Sequence, residues 1–195
     1  MAFQRSCLSI ALTGESKGKT TSSVALALNE ILKGNKVLFL QFLKGGKFSG
    51  EVIYLTKNFS NSIKVLQFGK FSIYAEQIAE GKKAPGIECF VEVEGYKKSL
   101  KKYSIEKTIE LINSKEFNVL ILDEALTAYW LKKLSSKQIK MFKEEAQRNN
   151  FINFVCTGRL LDNKIIKLFD KVYEYKMIKH PFHDINLVGR YGIEY

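Results

Sequence analysis

Residues 13–23 read TGESKGKTTSS, and the part able to do chemistry is Gly18-Lys19-Thr20. A lysine ammonium beside inward-pointing loop N–H groups neutralises phosphate oxygens, and a threonine hydroxyl at this position can ligate Mg2+. Thr21 and Ser22 add donors one step later. The spacing is irregular: Thr13 stands five residues before Gly18, where a phosphate loop usually has glycine, and Ser16 stands where glycine would ease a left-handed backbone. An ordinary strand-to-helix turn with a stray lysine is the competing reading. The order of apolar run, Gly-Lys-Thr-Thr and helix favours the phosphate loop.

A second constellation is Asp123-Glu124, an acidic pair directly after the apolar run Val119 to Leu122. Such a strand end delivers a carboxylate to Mg2+. Arg159, after Thr157-Gly158 at the end of another apolar run, offers a guanidinium suited to bidentate capture of phosphate. His180 and His183 are three apart but have no cysteine or carboxylate cluster beside them, so a metal role is not expected. Lys97, Lys98, Lys101 and Lys102 read as a solvated helical face. The segment FGKFSIY (68–74) could stack on a flat ligand or be a strand end with a packed loop.

The elements that must position these groups alternate. Strands are expected at 7–13, 36–42, 63–68, 117–123, 151–157 and 171–178. A helix with Val24, Leu28 and Ile31 on one face ends near Gly34. Residues 88–114 read as mostly helical, Ile139, Phe142 and Ala146 mark another helix, and a short one falls near 162–169. Residues 43–62 and 68–88 read as irregular, mobile loops. Strands apolar on both faces and alternating with helices imply a mainly parallel sheet covered on both sides. Ligands bind such sheets at the carboxyl ends of the strands, which directs attention to residues 13–15, 41–43, 122–124 and 156–158.

The chain has 195 residues, 46% hydrophobic and 26% charged, the profile of one globular domain, 1–195, with no membrane span. Cys7, Cys89 and Cys156 are too scattered for a zinc cluster or a disulfide framework, which fits a reducing cytoplasm. The net charge of +11 attracts anions in general, but its lysines are dispersed without aromatic interleaving, so nucleic acid is not the expected partner.

Five stretches together resemble one family: TGESKGKTT (13–21), KVLFLQFLKG (36–45), VLILDEALTAYW (119–130), VCTGR (155–159) and KHPFHDINLVGRYGIEY (179–195). The chain resembles the P-loop ATP:corrinoid (cob(I)alamin) adenosyltransferases, whose members also carry threonine at the position of Thr13. The resemblance implies a P-loop, RecA-like three-layer α/β fold. It implies transfer of the 5′-deoxyadenosyl group of ATP to the Co(I) of a reduced corrinoid, with release of triphosphate. ATP would be held by Gly14, Glu15, Ser16, Lys17, Gly18, Lys19, Thr20, Thr21 and Arg159. Mg2+ would be held by Thr20, Asp123 and Glu124, and catalysis would rest on Lys19, Thr20, Glu124 and Arg159. Phe71 and Tyr74 would meet the corrinoid. A homodimer and a flavoprotein reductant are further implications. The chain departs from the family's Asn-Gly at Glu15-Ser16, and Ile73 takes a tryptophan position. A phosphorus-cleaving ATPase or phosphotransferase, and a nucleotide-binding protein without catalysis, are the alternatives.

Overall fold

A computed structural model describes residues 7–44, 50–69, 87–91, 97–159 and 162–179. The chain order is β1 (Leu8–Thr13), α1 (Lys19–Leu32), β2 (Val37–Phe42), α2 (Gly50–Asn58), β3 (Ile63–Gly69), β4 (Ile87–Val91) and α3 (Lys97–Asn113). It continues with β5 (Val119–Asp123), α4 (Ala125–Trp130), α5 (Ser136–Arg148), β6 (Asn153–Thr157), α6 (Asn163–Ile166) and β7 (Lys171–Glu174). The strands form one seven-stranded sheet in the order β4-β3-β2-β5-β6-β1-β7. All of its pairings are parallel.

The burial of both strand faces explains the unbroken apolar runs. Alternate residues of each strand feed two different layers. Ile10, Leu12, Phe39, Val65, Ile121 and Val155 pack with Val24, Ala27 and Ile31 of α1. Ala11, Leu40, Leu66, Leu122 and Cys156 pack on the other side with Ile112 of α3 and with Ile139, Phe142 and Ala146 of α5. Cys7 and Cys156 are buried as expected of small apolar residues, and burial pushes the Cys7 thiol up to about 11.

Local chemistry sets the element ends. Gly34 follows α1 with φ +86, and its N–H donates to the Ile31 carbonyl at 2.9 Å. It therefore closes the helix just beyond the cap residue Lys33. Ser135 and Gln138 form a reciprocal capping box at the start of α5. Ser9 ties β7 to β1, because its N–H and hydroxyl both donate to Asp170 Oδ2, at 2.8 and 2.6 Å.

The alternating parallel architecture matches the expected fold class, with four differences. Residues 87–91 form strand β4 beside β3, where a helix was expected to begin. Residues 50–58 form α2 within a segment read as irregular, anchored by buried Leu55. Helix α4 follows Glu124 directly. The last strand ends at Glu174 rather than 178.

Candidate active site

The loop between β1 and α1 is shaped by two glycines. Thr13 is the last residue of β1, extended and buried, so that position has no need of glycine. The requirement falls on Gly14, at φ +104, where an added Cβ would lie 2.3 Å from the Tyr175 carbonyl oxygen. This close approach follows from the Tyr175 N–H donating to the Thr13 carbonyl at 2.8 Å. Gly18, at φ +103, starts α1, and no side chain caps that helix. Ser16 is not left-handed, contrary to the expectation for that position. Glu15 and Lys17 are exposed.

Lys19 is buried within the loop and donates to the carbonyls of Gly14 at 2.7 Å and Ser16 at 2.5 Å. Burial lowers its pKa, since desolvation disfavours the ammonium. Among neighbouring charges Glu124 opposes that shift most, Arg159 adds to it, and Asp123 and Glu15 oppose it more weakly. These charges act on one ammonium from three segments of chain: the loop itself, the end of β5 and the residue after β6.

Asp123 is the hub of the second half. Its Oδ1 accepts from the Thr20 hydroxyl at 3.0 Å and the Thr157 hydroxyl at 2.7 Å. Its Oδ2 accepts from Gln41 Nε2 at 3.0 Å and Lys44 Nζ at 2.7 Å. Gln41 Oε1 in turn accepts from Gln67 Nε2 at 2.7 Å. The register explains this row: Gln67 pairs with Gln41, Gln41 with Asp123, and Thr157 follows the Cys156 that pairs with Leu122. The four side chains thus lie side by side on the α1 face of β3, β2, β5 and β6. Burial of Asp123 would raise its pKa, but the Lys44 charge and the hydrogen bonds from Lys44, Thr157 and Gln41 hold it below the ordinary carboxylate value.

Backbone strain separates the two acidic neighbours. Glu124 has φ 59, and its N–H donates to the Thr157 hydroxyl at 3.0 Å. Asp123 is fully buried, whereas Glu124 is partly exposed. Leu43 is also left-handed, at φ 60, with its N–H on the Phe68 carbonyl at 2.7 Å, so the chain turns sharply after β2 just before Lys44. Such residues cost about 1–3 kcal/mol each and cluster at functional sites. Gly158 has φ +147, and a Cβ there would meet the Thr127 N–H at 2.3 Å. Arg159 follows with its N–H on the Thr127 hydroxyl at 2.8 Å and its side chain exposed.

Lys19, Thr20, Asp123, Glu124 and Arg159 thus meet around the carboxyl ends of β1, β5 and β6. Phe71, Tyr74, Ile73, His180 and His183 lie outside the described residues. Among the described residues, no group of three or more His, Cys, Asp or Glu could hold a metal by itself. A hydroxyl with two carboxylates instead suits Mg2+, which takes one or two carboxylates and completes its shell with water and substrate phosphates. Sequence reasoning gave no role to Gln41, Lys44, Gln67 or Thr157. The available signal was the lone glutamine before phenylalanine in both VLFLQF and KVLQF.

A family model described as ATP:corrinoid adenosyltransferase BtuR/CobO/CobP matches residues 5–195. The chain belongs to the ATP:corrinoid adenosyltransferase family. A relative from Sinorhizobium sp, described as a corrinoid adenosyltransferase, is 25% identical over 188 residues, which span 96% of this chain and 80% of the relative. Membership makes this adenosyltransferase an enzyme, and the readings as a phosphorus-cleaving ATPase or a non-catalytic binder are not favoured. No helix among the described residues of this adenosyltransferase is long and apolar enough to cross a membrane.

Proposed function

We propose that this site performs adenosyl transfer by positioning ATP and neutralising its leaving group, with no protein nucleophile. The electron pair of Co(I) in a reduced corrinoid forms a bond to the 5′ carbon of ATP. The bond from that carbon to oxygen breaks, and its electrons leave on triphosphate. Because attack falls on carbon, no base is needed beside the γ-phosphate. Much of the acceleration then comes from alignment of the two substrates.

Lys19, Thr20 and Thr21, with the backbone from Gly14 to Gly18, would hold the triphosphate, and Arg159 would contact it from the end of β6. Thr20, Glu124 and Asp123 would hold Mg2+, which draws off charge from the departing triphosphate. The observation that carries this reading is the Thr20 hydroxyl on Asp123 Oδ1 at 3.0 Å, next to a buried Lys19 whose ammonium is held by the Gly14 and Ser16 carbonyls. Phe71 and Tyr74 are assigned to the corrinoid side. A homodimer, a flavoprotein as electron donor and a cytoplasmic location complete the proposal.

The test is to mix the protein with ATP, Mg2+ and chemically reduced cobalamin and record the visible spectrum. A light-sensitive adenosylcobalamin spectrum with one triphosphate per product is expected. ADP and phosphate as products, without a cobalt–carbon bond, would overturn the reading.

A further inference from the structure

Asp123 has all of its acceptor positions occupied. Three of its donors are neutral and come from α1, β2 and β6: Thr20, Gln41 and Thr157. The fourth is Lys44, whose ammonium lies 2.7 Å from Oδ2 and whose side chain is 27% exposed beside a carboxylate that is 0% exposed. The same ammonium lies 3.4 Å from the Thr20 hydroxyl. It therefore bridges the two groups that, in the function proposed above, share a divalent cation. Two cations cannot occupy that space, because their repulsion in a buried setting is large.

We propose that Lys44 is an exchangeable cation of the triphosphate site. In the nucleotide-free protein it neutralises the buried Asp123 carboxylate. When a divalent cation enters with a polyphosphate, the ammonium yields its place and pairs with phosphate oxygens beside Lys19. Three features fit this exchange. Lys44 is the one charged donor among the four, it sits on a flexible four-carbon stem at a strand end, and the left-handed Leu43 aims the chain back over the sheet. A neutral donor at this point would leave Asp123 as an uncompensated buried charge in the nucleotide-free protein, a costly arrangement.

The inference rests on the reading of this site as a metal–triphosphate site, and two probes separate the failure of each. Mn2+ binding is followed by electron paramagnetic resonance, and binding of inorganic triphosphate with Mg2+ by calorimetry. Both are measured on wild type, Lys44→Ala and Lys44→Arg. Lys44→Ala should bind free Mn2+ about tenfold more tightly, since no ammonium must be displaced, and Mg-triphosphate about tenfold more weakly. Lys44→Arg, which keeps the charge and checks that the fold survives, should move both values back toward wild type. Equal or weaker Mn2+ binding in Lys44→Ala, or unchanged triphosphate binding, overturns the exchange. A merely structural lysine would shift both affinities in the same direction. A wild-type protein that binds neither probe overturns the site reading, and this inference with it.

Discussion

Asp123 concentrates the chemistry of the site in one buried carboxylate, and that makes its charge a matter of pH. The Lys44 ammonium and the hydrogen bonds around it hold its pKa below the ordinary value despite burial. A depressed carboxylate stabilises the fold fully above the ordinary value near ~4, and that contribution disappears as pH falls through the folded value. The melting temperature should therefore fall as pH drops below about 4, and the fall should be shallower in Asp123→Asn, which cannot titrate. Equal slopes in the two proteins would show that Asp123 is not held in its charged form. Lys19, Thr20, Asp123 and Glu124 were legible as residues because each sits in a local pattern next to a strand end. Lys44, Gln41 and Gln67 were not, because their partners lie 79, 82 and 26 residues away in the chain. Pairing register brings the two glutamines to their partners, and the turn at Leu43 after β2 brings Lys44 to Asp123.

At the scale of elements, the site depends on how closely the carboxyl ends approach the segments that follow. Gly158 lets the end of β6 touch the first turn of α4, where Thr127 receives the Arg159 N–H. Gly158→Ala would drive a Cβ to 2.3 Å from the Thr127 nitrogen and would also strain the backbone at φ +147. A loss of about 2–3 kcal/mol is expected, read as a fall in Tm of roughly 4–12 °C for a chain of this size. An unchanged Tm would mean that α4 moves away at no cost. The alternation of strand and helix was legible because each buried strand is a short, branched apolar run. β4 was hidden because it is a five-residue edge strand carrying Glu88, in a stretch with no apolar run of comparable length. α2 was hidden because its flanks are rich in glycine, lysine and serine. Its anchors, Leu55 and the Tyr54–Phe59 ring pair at 6.3 Å, are too few to show a period.

At the scale of the molecule, two apolar layers cover the faces of one sheet, and the described groups of the site lie at one end of it. That arrangement was legible from strands apolar on both faces, which a one-sided sheet would not carry. The strand order was not, because parallel neighbours need not be neighbours in sequence. That order has a consequence for biosynthesis. Of the described strands β1 is translated first, yet its two neighbours are β6 and β7, the last two of them. Ile10, Ala11 and Leu12 therefore emerge from the ribosome as an apolar segment with no edge to pair with until almost all of the described sheet has been made. Nascent chains arrested after β5 has emerged should not retain a fluorescent ATP analogue, and chains arrested after residue 174 has cleared the exit tunnel should. Retention by the shorter chain would mean that the loop forms without its flanking strands. On this order of the sheet, the loop after β1 gains its flanking strands late in the synthesis of each chain, and nucleotide binding is expected to come late with them.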